Sequence, residues 1–479
     1  MALVRGNRHL YRTPGFDRRL RGVVCHAQRL STIKGYSHMT RPFILCRLAV
    51  AFALIAVCAP ASRVALCDDG WQTLELPVKL TVGYAVRAID MNQDKLLDIA
   101  IVDSKRVLWL ENPTWREHVI HQTPDAKADN VCFAPHDVDG DGLIDLALGA
   151  DWQPNNTTSG GSIGWLHQQP QGTWKYHDLA QEPTTHRMNW VELVPGQPSL
   201  IVAPLKGVGT KGPGFEQVGV RLLALTPSAG KAPSTVKAPS TDKAPSTGKT
   251  PGAGKTPGAG GQGSGWDTRV LNDQLHVMHN FHVTDLDGDR RPDLVCASYE
   301  GATWLQFDGE GKLAGATRLG SGQEQAPPAR GASEIRSGQL AGKRHYLATI
   351  EPWHGDKVVV YIAPEGWSPG QTGSLWQRVV LDDELAWGHA IACANVDNDP
   401  EDELIIGVRD NRSDSHRCGV RIYDPNDATG QKWTRLLVDA SGVAVEDLVT
   451  ADLDNDSKQD IIAVGRATHN AKVYFNRSK

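Results

Sequence analysis

A short acidic loop followed directly by an apolar run recurs five times, and it constrains the fold more than any other feature of this chain. The segments are AIDMNQDKLLDIAIV from Ala88, PHDVDGDGLIDLALG from Pro135, VTDLDGDRRPDLVCA from Val283, CANVDNDPEDELIIG from Cys393 and TADLDNDSKQDIIAV from Thr450. A motif that returns at intervals of tens of residues is typical of architectures in which each repeat is one supersecondary unit. We therefore expect a fold made of copies of one small unit.

The spacing of the loops predicts the number of repeats. The intervals between their first residues are 47, 148, 110 and 57 residues, counted from Asp90, Asp137, Asp285, Asn395 and Asp452. The longest interval contains a Pro/Gly/Ser/Thr/Lys tract over residues 226–265, a composition that cannot form a packed core. Without this disordered insert, both long intervals are close to two periods of about 54 residues. Each therefore predicts one repeat without an acidic loop, from Met188 and from Ser333, and the total is seven.

Each repeat is predicted to contain four short strands. The first strand ends in the acidic loop, the second follows it, and the fourth often begins with Trp, as in WREHVI from Trp115 and WKYHDL from Trp174. Four antiparallel strands in about 40 to 55 residues are typical of a propeller blade. We predict an all-β fold, a seven-bladed β-propeller of four-stranded antiparallel blades, over residues 62–479, with the insert inside blade 3.

The two ends of this region are predicted to close the ring together. After Asp452 the chain has room for three strands only, and the third ends at Lys472–Phe475. The segment WQTLEL, Trp71–Leu76, supplies the missing strand of the last blade. Closure of this kind removes an exposed sheet edge.

Residues 1–61 are predicted to be an N-terminal extension and a cleaved secretory signal. Leu48–Cys58 is an apolar run too short to span a bilayer, preceded by Arg41 and Arg47 and followed by the small-residue site at 59–61. We expect a secreted or periplasmic protein without stable membrane insertion after cleavage. A lipoprotein is less favoured, because no small residue precedes the cysteines near this site.

The distribution of charge argues against one class of partner. The net charge is −5 although residues 1–61 carry ten Lys or Arg and one acid, so the rest of the chain is acidic. An acidic body without a basic stripe argues against nucleic acid as a partner.

Five cysteines follow residue 61. An odd number predicts free thiols, and one disulfide bridge through Cys418 is left open. No nucleophile or nucleotide fingerprint is present.

The acidic loops are predicted to bind Ca²⁺. In HDVDGDGLID, carboxylates at loop positions 1, 3, 5 and 9 can wrap round a hard cation, while Gly142 permits the turn. A metal-free acidic turn is the alternative. The predicted ligands are Asp90, Asn92, Asp94 and Asp98; Asp137, Asp139, Asp141 and Asp145; Asp285, Asp287, Asp289 and Asp293; Asn395, Asp397, Asp399 and Glu403; and Asp452, Asp454, Asp456 and Asp460.

These segments resemble the FG-GAP (VCBS-type) repeats of integrin α-like propellers, through the acidic loop and the following DLxxG, although the Phe-Gly pair is missing. The resemblance covers nearly all of residues 70–479 and implies structural Ca²⁺ between strands 1 and 2 of a blade. Several loops depart from the pattern. Lys95, Arg290 and Ser457 stand where Gly is usual, and Pro400 interrupts the fourth loop.

The opposite face, where strands 2 and 3 connect and where successive blades join, is predicted to carry the functional site at the mouth of the central channel. Three histidines and a carboxylate could hold Zn²⁺ with an open position, while arginines stabilise an anion. The candidates are His279, His354, His389, Glu351, Arg409 and Arg466. Alternatively, aromatic side chains could stack on sugar rings, and the candidates for ligand binding are Trp152, His186, Trp353, Trp387 and His469.

The order of HNFHVTDLDGD, EPWHG, WGHAIACANVD and VGRATHN is also similar to the propeller part of the aldos-2-ulose dehydratase/isomerase enzymes. That resemblance implies sugar dehydration, because this chain has no cupin portion for the isomerisation. Our first hypothesis is the binding of a carbohydrate or another extracellular small ligand. The second is a metal-dependent carbohydrate lyase (dehydratase), and the third is a scaffold for adhesion or protein interaction.

Overall fold

The computed structural model describes residues 64–66, 70–228, 265–369, 373–411, 413 and 417–478. They contain 29 strands, and the only helix among them is a 3₁₀ turn at Ala341–Lys343. The predicted signal segment and residues 229–264 of the predicted insert lie outside the described residues. Within the described part of the chain, no helix has the length and hydropathy of a membrane span.

Seven antiparallel sheets form a ring, and the predicted seven-bladed β-propeller is confirmed. Two strands precede the first blade, β1 (Val64–Leu66) and β2 (Trp71–Glu75). The blades then follow the chain in order: β3 (Gly83–Ile89), β4 (Asp98–Asp103), β5 (Arg106–Glu111) and β6 (Arg116–Gln122) in blade 1; β7 (Cys132–His136), β8 (Asp145–Ala150), β9 (Ser162–Gln168) and β10 (Trp174–Gln181) in blade 2; β11 (Thr185–Val194), β12 (Gln197–Pro204), β13 (Leu222–Pro227) and β14 (Trp266–Asn272) in blade 3; β15 (Asn280–Thr284), β16 (Asp293–Ser298), β17 (Gly301–Phe307) and β18 (Leu313–Gly320) in blade 4; β19 (Ile335–Leu340), β20 (Arg344–Glu351), β21 (Lys357–Ile362) and β22 (Gln377–Asp382) in blade 5; β23 (Gly388–Ala394), β24 (Glu403–Val408), β25 (Gly419–Pro425) and β26 (Trp433–Ala440) in blade 6; and β27 (Val445–Ala451), β28 (Asp460–Gly465) and β29 (Ala471–Asn476) in blade 7.

The N-terminal strand closes the last blade as predicted. β2 pairs antiparallel with β29, from Trp71 opposite Asn476 to Glu75 opposite Lys472. Just beyond β2, Leu76 is buried in a cluster that joins blades 7 and 1. One pairing was not predicted from the sequence: β1 adds a parallel fifth strand to the outer edge of blade 6, next to β26.

The apolar runs after the acidic loops form the second strand of five blades. Every residue of β4, β8, β16, β24 and β28 is buried. Since each blade packs between two neighbours, both faces of this strand are covered, and an uninterrupted apolar run is the pattern that such a strand requires. The first strands line the channel, and β27 contacts β3 to complete the ring.

Cysteines do not crosslink the described blades. Cys132, Cys296, Cys393 and Cys418 are free thiols, and Cys67 lies outside the described residues. The expectation of free thiols is confirmed for these four positions. Burial raises the pKa of the Cys132 and Cys296 thiols to about 12, which leaves them protonated at neutral pH.

Ring closure by β2 predicts a specific stability effect. Leu76→Ala removes a buried side chain from the interface between the first and last blades and should cost about 2 to 4 kcal/mol of unfolding free energy. Thr73→Ala, at an exposed position of β2, should change it by less than about 0.5 kcal/mol. Chemical denaturation of both variants measures the difference, and equal effects would contradict a closing role for this strand.

Candidate functional site

A recurrent irregularity at the start of the innermost strands builds the candidate site. The pairing register of β3, β11, β23 and β27 shifts at the same point, where one residue is left without a partner in the second strand. A bulge of this kind redirects a side chain. The unpaired residues are Tyr84, His186, His389 and Glu446, and the equivalent positions just before β15 and β19 hold His279 and Glu334. All lie at the end of the inner strand opposite the acidic loop.

Three of the predicted histidines come together here. His279, His354 and His389 each place a ring nitrogen within 4.8 Å of the others. The Nε2 atoms of His279 and His354 are 2.7 Å apart. His279 and His389 are buried, whereas His354 is half-buried and comes from the loop between β20 and β21. We call this group the histidine cluster.

Two buried residues orient the cluster, Glu334 through its carboxylate and Glu446 through its backbone carbonyl oxygen. Oε1 of Glu334 lies 2.9 Å from Nδ1 of His279, so the Nε2 atom of that ring points toward His354. Nδ1 of His389 contacts the carbonyl oxygen of Glu446 at 2.7 Å, and the Glu446 carboxylate lies 3.9 Å from Nε2 of the same ring. Second partners of this kind set the tautomer and direction of metal-binding histidines.

The predicted arginines reach the cluster through Glu446. Arg466 forms an ion pair with its carboxylate at 2.7 Å, and Arg409 approaches it at 3.8 Å. Burial raises the pKa of Glu446, although Arg466 and Arg409 oppose this shift. Burial also acts on Glu334, but Arg187 and His279 outweigh it and hold its pKa below the usual range.

The electrostatics of the cluster favour neutral imidazoles. Burial lowers the pKa of His354 and of His389 well below the usual value, and neighbouring histidines add to the effect. Burial lowers the pKa of His279 as well, against the opposing influence of Glu334. The neutral ring is the form that ligates metals.

His186 lies next to the cluster, and its ring nitrogens form no hydrogen bonds with the described part of the chain. Its ring meets His279 edge-on, with centroids 4.5 Å apart, and stacks on Trp152 at 4.8 Å. Both of its ring nitrogens are buried and have no hydrogen-bond partner among the described residues. Buried polar atoms rarely remain unpaired in a native protein, so this ring points to a ligand.

A cavity of about 600 Å³ opens beside the histidine cluster. Its wall includes His354, Trp387, Asp356 and Asp410. Trp387 is 50% exposed, and the Arg409 guanidinium lies 4.7 Å from the centre of its ring. Trp353, another residue predicted to bind the ligand, stacks on the ring of His354, with the ring centroids 4.5 Å apart. Among the cluster members, only His354 borders the cavity, so it connects the buried histidines with solvent.

The backbone is strained where it presents these groups. His354 and Trp387 have φ values of 49° and 62°, in the left-handed region that side chains other than Gly rarely adopt. In the same loop as His354, a Cβ at Gly355 would lie 2.0 Å from the backbone of Glu351, so only Gly fits there. Strain of about 1 to 3 kcal/mol per residue persists mainly at functional sites.

Two predicted site residues lie apart from the cluster. The Glu351 carboxylate is fully buried and accepts hydrogen bonds from Tyr361 at 2.5 Å and from Arg378 at 2.6 Å. Glu351 therefore has a role in blade 5 and is not the carboxylate of the cluster. His469 is exposed and contacts the carbonyl oxygen of Thr81 at 2.7 Å.

Glu334 and Glu446 stand beside the histidines instead, and they were not among our candidate ligands. Tyr84 was also missed. All three either directly precede the inner strand or are its second residue, as is true of His186, His279 and His389. Aligning the repeats on that position, rather than searching for His- and Trp-rich turns, could have found them.

The acidic loops lie between strands 1 and 2 of blades 1, 2, 4, 6 and 7, at the far end of the inner strands. Asp137, Asp139 and Asp141 place carboxylate oxygens within 4.8 Å of one another, and Asp285, Asp287 and Asp289 do the same. In two blades, a residue of strand 3 lies close enough to the predicted calcium ligands to join them, and the sequence analysis missed both residues. His167 joins Asp139 and Asp145, and Asp424 joins the loop of blade 6. Only the pairing of strand 3 with strand 2 brings these residues near.

The acid at loop position 9 differs from the others. Asp98 is buried and accepts backbone N–H groups from Met91 and Asn112, each at 2.9 Å, so it pins the loop to the blade. The equivalent acids each accept a backbone N–H from their own loop: Asp145, Asp293, Glu403 and Asp460. Burial raises the pKa of Asp145, Asp293 and Asp460 to about 6.

Loop position 6 has a left-handed backbone whether or not Gly occupies it. The φ values are 88° at Gly142, 73° at Lys95, 70° at Arg290 and 68° at Ser457. The non-glycine residues therefore adopt the turn at a steric cost of about 1 to 2 kcal/mol each. Loop position 4 is left-handed in all five loops, including Asn398 in blade 6, where Pro400 at position 6 does not adopt a positive φ.

Comparison with known protein sequences finds a partial similarity to an enzyme. The chain is 27% identical over 223 residues to aldos-2-ulose dehydratase of Phanerodontia chrysosporium. This match covers 44% of the chain and 24% of that protein, so the chain spans about a quarter of its length. No family model matches the chain. The FG-GAP resemblance therefore stays a prediction.

The solved structures that resemble this one have little sequence identity to it. A chain in the crystal structure of BBS1N in complex with ARL6DN is 12% identical, with a TM-score of 0.47 and coverage of 85% of this chain and 96% of that chain. The extracellular domain of the putative one component system BT4673 from B. thetaiotaomicron is 10% identical, with a TM-score of 0.44 and coverage of 85% and 40%. Both scores lie below 0.5, and the fold assignment rests on the sheet topology.

The position of Glu351 predicts a structural and not a ligand-binding phenotype. Glu351→Gln removes the charge that pairs with Arg378 inside blade 5, and the unfolding free energy should fall by about 2 to 3 kcal/mol. Glu310→Gln, which breaks an exposed pair with Lys312, should cost less than about 1 kcal/mol. Thermal unfolding compares the two, and similar small losses would show that the buried pair is dispensable.

Proposed function

We propose that this protein is a metal-dependent carbohydrate lyase that eliminates water from a keto sugar at the mouth of its propeller channel. The convergence of three histidines on one point, beside a cavity with a half-exposed tryptophan, is the observation that carries the proposal. The sequence similarity to a dehydratase that acts on an aldosulose supports the same chemistry. From the sequence alone we favoured ligand binding; the buried histidine cluster moves the enzyme to first place.

The residues fit a transition metal. His279, His354 and His389 supply three imidazole nitrogens, a donor set typical of catalytic zinc with one position open. The two ring nitrogens of His186 and the Oε2 atom of Glu446 are further buried polar atoms that have no hydrogen-bond partner among the described residues. A zinc ion in this cluster would act as a Lewis acid that polarises the carbonyl oxygen of the sugar.

The remaining groups bind the sugar and move protons. The exposed ring of Trp387 offers a stacking surface for a pyranose, and the Arg409 guanidinium beside it faces negative charge that develops on the sugar. Asp356 and Asp410 are the carboxylates on the cavity wall. One of them takes the proton from the carbon next to the carbonyl. The C–O bond at the following carbon then breaks, a C=C bond forms, and the hydroxyl group leaves as water with the proton that the same carboxyl group returns.

Carbohydrate binding without chemistry is the second candidate. It is favoured by Trp387, whose strained backbone and half-exposed ring need no metal to serve as a stacking platform. The two candidates differ in whether loss of the histidine cluster abolishes product formation or leaves binding intact.

The zinc proposal predicts a metal content that depends on the cluster. Elemental analysis of purified protein, after dialysis against a weak chelator, should find about one zinc per chain. The double variant His279→Ala/His389→Ala should lose it, because two of three ligands are gone. His118→Ala, a histidine of blade 1 that contacts Glu111 instead, is the matched control and should keep the metal.

The same proteins should separate the enzyme from a binding protein. Wild type and His118→Ala should convert keto sugars to products with the ultraviolet absorbance of a conjugated ketone, and the double variant should be at least a hundredfold slower. A cluster that holds no metal, or a double variant that dehydrates the sugar at the wild-type rate, would rule out the proposed reaction.

We further propose that the acidic loops bind structural Ca²⁺, in agreement with the FG-GAP resemblance. The support is the donor set: the side chains of the loops offer oxygen atoms, which suit a hard cation, and in blade 6 the buried Oε1 atom of Glu403 lacks a hydrogen-bond partner. Export through a cleaved signal, which the sequence predicts, would expose the protein to the calcium concentrations at which such loops fill.

Calcium binding predicts a metal-dependent stability. Removing Ca²⁺ with a chelator should lower the melting temperature of the wild type, and adding Ca²⁺ should restore it by mass action. Asp141→Asn should reduce the calcium-dependent part of the shift, because it removes one carboxylate from the blade 2 group. Asp125→Asn, at an exposed turn, should leave the shift unchanged. Equal melting temperatures with and without Ca²⁺ would leave the loops as metal-free turns.

A further inference from the structure

A second cavity, of about 230 Å³, lies in the channel next to the histidine cluster. It begins one residue further along the same inner strands: Arg187 follows His186, Asn280 follows His279, and Asp447 follows Glu446. Three arginines face it, one each from blades 1, 3 and 5: Arg87, Arg187 and Arg336. We call this cavity the arginine chamber.

The acids nearby do not balance the three guanidinium groups. Arg87 pairs with Asp447 at 3.1 Å, and Arg187 pairs with Glu334 at 3.3 Å. Arg336 donates to the carbonyl oxygen of Ile335 at 2.7 Å and forms no ion pair with any described carboxylate. The Glu334 carboxylate also accepts a hydrogen bond from Asn280 and contacts His279. It therefore interacts with several groups and not with Arg187 alone. The chamber therefore keeps an excess of positive charge.

The rest of the wall cannot cancel this charge. His282 lines the chamber, but burial and the nearby Arg336 lower its pKa to about 3, so the ring is neutral at physiological pH. Met188, Phe281 and Val449 contribute apolar surface. A charge held among apolar groups away from bulk water is costly unless a counter-charge accompanies it.

We propose that the arginine chamber binds a small oxyanion. Guanidinium groups present paired N–H donors that match the oxygens of a carboxylate, sulfate or phosphate, and three of them converge here from different blades. The volume accommodates a tetrahedral oxyanion with a few waters, since one water occupies about 30 Å³. This site is distinct from the histidine cluster and does not require a metal there.

Calorimetric titration with sodium sulfate, at ionic strength held constant with sodium chloride, tests the proposal on the full-length protein. The wild type should bind sulfate saturably, with about one site per chain. Arg336→Met should weaken the affinity by about tenfold or more, because it removes the guanidinium that has no acid partner. Arg318→Met, on an exposed strand edge, is the matched control and should bind like the wild type.

A second variant changes the affinity in the opposite direction. Asp447→Asn removes the acid that competes for Arg87, and sulfate should then bind more tightly than to the wild type. Because the amide can still accept the backbone N–H of Val86, this variant keeps a local contact and carries the test if Arg336→Met does not fold. Unchanged or weaker binding by Asp447→Asn would overturn the proposal, as would equal affinity in Arg336→Met and Arg318→Met.

Two further titrations identify the anion and separate this site from the metal proposal. Sodium acetate in place of sulfate distinguishes the carboxylate of an organic molecule from an inorganic oxyanion, according to which binds more tightly. The His279→Ala/His389→Ala variant should still bind sulfate saturably, at about one site per chain. If sulfate binding disappears in that variant, a metal in the cluster and not the chamber holds the anion, and the proposal fails.

Discussion

The pairing of β2 with β29 is the interaction on which the rest of the structure depends. No blade supplies more than one histidine of the cluster or more than one arginine of the chamber, so no single blade contains a site. The cluster exists because blades 4, 5 and 6 hold His279, His354 and His389 in fixed relative positions, and the ring keeps them there only while its last blade is complete. A strand from the opposite end of the chain thus supports a site that it does not touch.

Along the inner strands of blades 4, 6 and 7, the sequence places two kinds of candidate ion-binding side chains at opposite ends. At one end the bulged position presents imidazole or carboxylate to the channel, and at the other end the acidic loop presents only oxygens. A strand of five to seven residues separates the two ends by roughly 16 to 23 Å. The proposed cation sites in the cluster and in the acidic loops would therefore draw on different side chains of one blade.

The repeat count, the strand order and the closing strand followed from the sequence because they rest on local patterns: loop spacing, apolar runs and missing strands. The histidines were found because the topology assigns faces to connections. Glu351 was misplaced for a physical reason. It ends a buried strand and its side chain turns into blade 5 toward Arg378, whereas the neighbouring turn carries His354 to the channel. Side-chain direction at a strand end, and bulges such as that at Glu446, depend on register and were not readable from composition.

The distribution of charge in the channel connects the cluster with the chamber. Glu334 lies between them: it orients His279 on one side and pairs with Arg187 on the other. If a cation occupied the cluster, it would attract Glu334 and weaken the hold of that carboxylate on Arg187. The chamber would then become more positive and would bind an anion more tightly. An anion there would in turn lower the cost of positive charge in the cluster. Because binding free energies are reciprocal, each site would strengthen the other through this one carboxylate, without any movement of the blades.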